Sequence, residues 1–584
     1  MEERYVGLGA APGMVVGPAV VWRPRLPMFP NRAVVGCRKE EAARLEAAVR
    51  AVERELDELR SRTERELGSK EAAIFTAQLL MLSDPALTGA ARELIAQGEN
   101  AEVAVGKATT EQAALLAALP DEYLAERAAD VRDVGGRLLA YLRGEQEELP
   151  PLDVPAVVVA PDLTPSETAR LPKDRLLGLV TEAGGRTSHV AIMARSLGIP
   201  AVVGIDGISS RVQSGDMVAL DGTTGEVVVR PGASQLAVWE QRLYKAKAAK
   251  SRWRDLTPLP AITIDGHRVS LRANIGRPAE AETALGMGAE GVGLFRTEFL
   301  YMDRQELPSE EEQLAAYREV AEIMAPHPVI IRTLDVGGDK DLPYLGLARE
   351  ANPFLGWRAL RYSLSCPEIF RAQLRAILRA SAYGEVRIMF PLVVSVQEIG
   401  QAKEQLALAQ AELDERGLPR ADKVQVGIMV ETPAAAIMAD QLAQEVDFFS
   451  IGSNDLTQYT LAADRQNEKV SAVYDPFHPA VLRLISATIA AGHQKGIEVG
   501  MCGELAGDPL ATPLLLGLGL NEFSMAAPSL PAIKEKIRTW SLATATKLAQ
   551  QALKLSSGEE VRMLLSSLGS GVDGSESKEQ SHGS

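Results

Sequence analysis

Cysteine is nearly absent from this 584-residue chain: Cys37, Cys366 and Cys502 are the only three. Three thiols cannot build a disulfide framework, and their scarcity suits a reducing compartment, so the sequence reads as cytoplasmic. The opening MEERYVGLGAAPG has no basic segment followed by an apolar core, so no secretory signal is expected. No uncharged apolar run reaches the roughly 18 residues a membrane span needs. An excess of positive charge is missing too. Lys and Arg number 62 against 78 Asp and Glu, a formal net charge of −16. That argues against nucleic acid or an anionic membrane as the main partner. A small anionic substrate remains possible where arginines cluster locally. Apolar residues are plentiful at 46%, enough to build several cores.

The rhythm of the chain divides it. Two short strand-like runs, YVGLGAAPG and VVGPAVVW, lie within residues 4–23 and are too short to fold alone. From Lys39 onward Leu45, Val49, Val52, Leu56 and Leu59 recur at steps of four and three, the spacing of an amphipathic helix. Helical periodicity persists to about residue 144, which predicts an all-helical bundle over 35–144. Strand-like runs then return (AVVVA, LLGLVTE, AVVGI, MVALDG, GEVVVRPG). A small α/β unit is expected from 1–34 together with 145–232, so the bundle is an insertion into it. Residues 233–261 read as a linking helix. Eight strand candidates then alternate with helical stretches over 262–570, namely 270–276, 292–295, 329–333, 386–391, 426–431, 447–452, 498–502 and 521–524. That repeat predicts a (β/α)8 barrel. The polar end, 571–584, reads as a disordered tail.

Two places carry chemistry. In EAGGRTSHVAIMAR (182–195), Gly184 and Gly185 read as a strand-to-helix turn, Thr187 or Ser188 as a helix cap, and His189 as a first-turn residue. A helix start exposes free N–H groups and the positive end of the dipole, which favours an anion there. Alone, such a histidine is more often a buried structural residue. The second place is the C-terminal rim of the expected barrel, where such folds hold their sites. Strand candidates end on Arg296, on Arg332 with Asp335 and Lys340 after it, on Glu431, on Asn454 and Asp455 with Arg465 close by, and on Cys502. Two carboxylates, Glu431 and Asp455, suit one hard cation such as Mg2+. Arginines and a lysine suit carboxylate and phosphate groups, and a thiol can donate a proton.

These segments also carry a resemblance. GGRTSHVAIMAR, GVGLFRTEFLYM, RTLDVGGDK, NPFLGWR, IMVETPAA, IGSNDLTQY and MCGELAGD resemble the enzyme I family of the phosphoenolpyruvate:sugar phosphotransferase system, from GLGAAPG to about residue 570. Val190, Ser453 and Leu505 depart from the family pattern without removing a functional group. The resemblance implies a phosphohistidine enzyme. Phosphoenolpyruvate would phosphorylate His189 at Nε2, and the group would pass to a histidine of a small phosphocarrier protein (HPr), releasing pyruvate. It implies that Arg296, Arg332, Asn454, Asp455 and Arg465 bind phosphoenolpyruvate and that Glu431 and Asp455 hold Mg2+. Cys502 would protonate the enolate carbon. Thr168, Arg195, Lys340 and Arg358 would support these groups. A homodimer through the barrel is implied as well, with the carrier docking on the bundle. Two other readings compete: a pyruvate phosphate dikinase or phosphoenolpyruvate synthase, and an inactive relative that senses phosphoenolpyruvate. The first would place a nucleotide-binding domain ahead of the histidine, where this chain has a bundle without a glycine-rich phosphate loop. Intact His189, Cys502, Glu431 and Asp455 weigh against the second.

Overall fold

A computed structural model describes residues 3–23, 37–67, 69–118, 122–144, 152–185, 188–302, 304, 306–338, 343–345 and 350–569. The expected tail at 571–584, Thr187 and Lys340 lie outside them. The chain divides into two compact units, residues 1–248 and 249–584.

The first unit contains one eight-stranded sheet. Its strands are β1 (Glu3–Val6), β2 (Leu8–Ala11), β3 (Met14–Val21), β4 (Ala156–Ala160), β5 (Leu176–Thr181), β6 (Ala201–Val203), β7 (Met217–Asp221) and β8 (Glu226–Val229), in the order β1-β8-β7-β3-β4-β5-β6-β2. The N-terminal runs do join the later strands, but as three strands rather than two. Gly7 alone separates β1 from β2, yet these lie at opposite ends of the strand order. The sheet therefore curls until its two edges approach each other at Gly7. Any side chain there would collide: a Cβ on Gly7 would come within 2.6 Å of the Val203 carbonyl oxygen. β3 pairs in parallel with β4, its neighbour across the long insertion. β4 is buried at every position, as a parallel strand covered on both faces should be.

Five helices fill the gap between β3 and β4: α1 (Arg38–Leu67), α2 (Ser69–Ser83), α3 (Ala90–Gln97), α4 (Ala101–Ala117) and α5 (Glu122–Arg143). Leu45, Val52, Leu56 and Leu59, the apolar stripe read in the sequence, are buried in the bundle core, with Val49 packed at its border. A helix over Ala233–Leu256 follows β8, with Trp239 buried against Ala219 and Val228.

The second unit contains a closed barrel of eight parallel strands: β9 (Ser270–Ile275), β10 (Val292–Arg296), β11 (Val329–Arg332), β12 (Val386–Phe390), β13 (Gln425–Val430), β14 (Phe448–Ile451), β15 (Glu498–Met501) and β16 (Glu522–Ala526). All eight strand expectations fall within two residues of these. β16 pairs back onto β9, which closes the ring. Inside the N-terminal end lies a buried ion network. Arg272 bonds Glu522 at 2.5 Å and Glu498 at 2.8 Å, and Arg387 bonds Glu498 at 2.7 Å. This end is plugged by paired charge, so the C-terminal end is left for a site.

A buried ion pair is costly to break but cheap to replace as a whole. Arg272→Met strands Glu522 and is expected to destabilise the barrel by about 3–5 kcal/mol in chemical denaturation. Arg272→Met with Glu522→Leu should recover most of that loss. Additive losses in the double variant would contradict the pairing.

Candidate active site

The C-terminal rim of the barrel surrounds a cavity of about 270 Å³, a size suited to a small metabolite. Arg296 and Arg332 are the last residues of β10 and β11, and Glu431 and Cys502 each directly follow a strand, β13 and β15. Asn454 and Asp455 stand elsewhere than expected. They occupy the first turn of the helix Ser453–Leu461 after β14, not the strand end itself. Arg465 follows that helix, and Arg358 enters from the loop after β11. The cavity brings all eight of these residues together. It also brings in Asp335 and two residues that the sequence reading did not assign, Glu298 and Glu504. Glu298 gave no signal, because an acid two residues past a strand normally reads as a solvated charge.

The charges form a chain. Glu298 pairs with Arg332, and Arg332 Nη1 lies 3.1 Å from Asp335 Oδ2. Asp335 Oδ1 then meets Arg358 Nη2 at 2.9 Å, Arg358 reaches Asp455 Oδ2 at 3.5 Å, and Asp455 Oδ1 reaches Arg465 Nη1 at 3.7 Å. Glu298, Arg332, Asp335, Arg358 and Asp455 are all buried. Alternating sign is what makes five buried charges tolerable, since each isolated one would cost several kcal/mol. Arg296 stands apart. It is exposed at the mouth, and among the described residues no carboxylate pairs with it. Its guanidinium is therefore open to an incoming anion.

Five carboxylates (Glu298, Asp335, Glu431, Asp455, Glu504) face four guanidinium groups (Arg296, Arg332, Arg358, Arg465) around the cavity. Fully ionised, the lining has no positive surplus for a multiply charged anion, so a cation would have to enter with it. Two features fit one. Asp455 Oδ1 is buried without a hydrogen-bond donor. Among the described residues Glu431 takes one protein donor, the Leu392 N–H on Oε1 at 2.6 Å. Burial pushes the Glu431 carboxyl well above the ordinary carboxylate range, and the nearby Asp455 and Asp335 add to the shift. A divalent cation would reverse it. No group of three or more His, Cys, Asp or Glu is placed to hold a metal among the described residues. The donor set therefore suits a hard ion that takes one or two carboxylates and fills its shell with water and substrate oxygens.

Cys502 is buried, and burial pushes its thiol up to about 11, so it carries its proton at neutral pH. Its backbone is fixed from both sides: its N–H bonds the Ile451 carbonyl at 3.1 Å, and its carbonyl accepts from Asn274 Nδ2 at 2.9 Å. Asn454 Oδ1 accepts the Glu504 N–H at 3.0 Å, which leaves its amide N–H2 to donate. Gly503 is required here, because a Cβ on it would stand 1.9 Å from Ser453 Oγ.

The histidine segment belongs to the first unit. That unit includes helices α6 (Pro165–Arg170) and α7 (His189–Leu197). Gly184 makes the turn before α7 at φ +102°, a left-handed conformation that suits glycine. Ser188 caps α7 by accepting the Ala191 N–H, so His189 is its first residue. Arg195 is exposed in the last turn of α7. Thr168 is buried in α6, which packs against α7, and its hydroxyl donates to the Thr164 carbonyl at 2.9 Å. Its oxygen can still accept a bond.

Three family models match the chain: PEP-utilising enzyme, N-terminal, over 6–127; PEP-utilising enzyme, mobile domain, over 152–225; and PEP-utilising enzyme, PEP-binding domain, over 250–542. The phosphoenolpyruvate-protein phosphotransferase of Geobacillus stearothermophilus is 47% identical over 563 residues, 96% of this chain and 97% of that protein. The protein of that name from Haemophilus influenzae is 46% identical over 562 residues (96% and 98%), and that from Bacillus subtilis 45% over 562 residues (96% and 98%).

A cation that binds Glu431 must displace its proton. Mg2+ or Mn2+ affinity should therefore rise with pH through neutrality and level off once Glu431 is ionised. Calorimetric titration in buffers of different ionisation heat should show proton release near neutral pH, and Glu431→Gln should abolish it. Release that persists in that variant would assign the proton elsewhere.

Proposed function

The chain belongs to the phosphoenolpyruvate-protein phosphotransferase family, and from that premise we propose that it moves a phosphoryl group from phosphoenolpyruvate to its own His189 and on to a histidine of a small phosphocarrier protein such as HPr, releasing pyruvate. The observation that carries this reading is the barrel-rim cavity, which combines an unpaired arginine, two cation-suited carboxylates and a protonated buried thiol.

On this reading Arg296, Arg332 and Arg465 bind the phosphate and carboxylate groups, with the Asn454 amide donating beside them. Arg358 and Asp335 hold Arg332 and Asp455 in register. Glu431 and Asp455 hold Mg2+, which supplies charge neutralisation on the phosphate oxygens when bound. The Cys502 thiol delivers a proton to the carbon of the departing enolate. At the acceptor, the α7 N-terminus stabilises the negative charge added to His189. The Thr168 oxygen accepts from the other imidazole nitrogen, Arg195 contributes a nearby positive charge, and Lys340 is a further cation for the substrate.

His189 lies in 1–34 with 145–232, the substrate groups lie in 262–570, and carrier docking is assigned to the bundle at 35–144. In-line transfer needs the nucleophile within about 3–3.5 Å of phosphorus. The histidine-bearing unit therefore moves between donor and carrier, with 232–262 as the hinge region. No helix among the described residues is long and apolar enough to cross a membrane. Three unpaired cysteines support a cytoplasmic setting, and pairing of two chains through the barrel completes the reading.

Incubation with 32P-phosphoenolpyruvate and Mg2+ should place an acid-labile label on the parent protein and, through it, on the carrier. His189→Ala should take up none while still binding phosphoenolpyruvate. Acid-labile label on that variant would refute the assignment.

A further inference from the structure

One buried polar group beside the cavity has no role in the chemistry above. Ser450 lies in β14, opposite Gly500 of β15 in the strand register. Residues two apart on a strand share a face, so Cys502, two beyond Gly500, stands on the lumen side next to Ser450. Gly500 puts no side chain between them. Ser450 is 1% exposed and Cys502 4%. The Ser450 hydroxyl makes no full hydrogen bond in the resting protein, but it stands close enough to the Cys502 sulfur to donate to it weakly. A buried hydroxyl without a partner costs free energy, and few such groups persist in folded proteins without a reason. Met429 and Phe448, which pack with Cys502, are apolar and offer the hydroxyl no partner. The charged groups acting on the thiol are Arg332, Glu431 and Glu522. Ser450 is the neutral donor among the groups that act on it, and it opposes the upward push of burial.

We infer that Ser450 is a positioning residue for proton donation, whose hydroxyl turns onto the Cys502 sulfur as the thiol gives up its proton. The inference rests on Cys502 being the proton donor. In that step the S–H bond breaks and its electron pair stays on sulfur. The enolate double-bond pair forms the new C–H bond, and pyruvate results. The thiolate left behind is a buried anion that needs a donor, and the Ser450 O–H supplies one with no strand movement. A proton from water later restores the thiol. The weak donation of the resting state thus becomes the full hydrogen bond of the state after protonation.

The test uses the full chain in a Cys37→Ala, Cys366→Ala background, in which Cys502 is the remaining thiol. Ser450→Ala should lower kcat for pyruvate formation roughly ten- to a hundredfold, the worth of a hydrogen bond to a charged group, with KM for phosphoenolpyruvate unchanged. Iodoacetamide labelling of Cys502 at about pH 8, without Mg2+ or substrate, scales with the small thiolate fraction and should slow about tenfold. Ser450→Thr, which keeps the hydroxyl, should restore both. Parent-like kcat or parent-like labelling in Ser450→Ala would overturn the inference. Cys502→Ala separates the two claims. If it is inactive while Ser450→Ala is normal, only the role of Ser450 fails; if it still turns over, the donor assignment fails as well.

Discussion

The alternating chain of charge from Glu298 through Arg332, Asp335, Arg358 and Asp455 to Arg465 is the constraint on which the rest of the site depends. The members come from the ends of three strands and the segments after them, β10 (Glu298), β11 (Arg332, Asp335, Arg358) and β14 (Asp455, Arg465), and burying any one alone would be prohibitive. Together they fix the guanidinium planes without a substrate. The cost of ordering these side chains is met when the protein folds and not at each turnover, which is what preorganisation means for a charged transition state. The same pairing sets a limit. Arginines whose charge is already matched attract an anion weakly, so on the proposed reading Arg296, which has no carboxylate partner among the described residues, and a cation at Glu431 and Asp455 would supply the attraction.

The separation of donor and acceptor follows from what each needs. Phosphoenolpyruvate carries several negative charges and calls for a walled, cation-assisted pocket. On the proposed reading, a phosphohistidine that hands its group to another protein would need an accessible position instead. A capped helix start after a glycine turn offers stabilisation from backbone N–H groups. The thiol suits the pocket, because burial raises its pKa to about 11 and keeps it protonated until a strongly basic group meets it.

Much of this was legible in the sequence because local rules and the fold agree. Barrel strands read clearly as apolar runs ending in a functional residue, as in GVGLFR or VGIMVE, and the insertion read clearly because a period-3.6 stripe interrupts strands. What escaped depends on contacts between distant segments. The one-residue step at Gly7 is invisible without its Val203 and Ile205 neighbours. Asn454 and Asp455 read as strand-end residues, but the chain turns into a helix one residue earlier, at Ser453. Glu298 and Ser450 look like ordinary polar residues until the barrel closes around them.

The most direct test of the charge account is calorimetric binding of phosphoenolpyruvate to the His189→Ala protein, with Mg2+ and with a chelator, at one ionic strength. The expected result is binding with Mg2+ that weakens at least tenfold in chelator, because the arginines alone are too nearly neutralised to hold the anion. Equal affinity under both conditions would contradict the account and show that the arginines suffice.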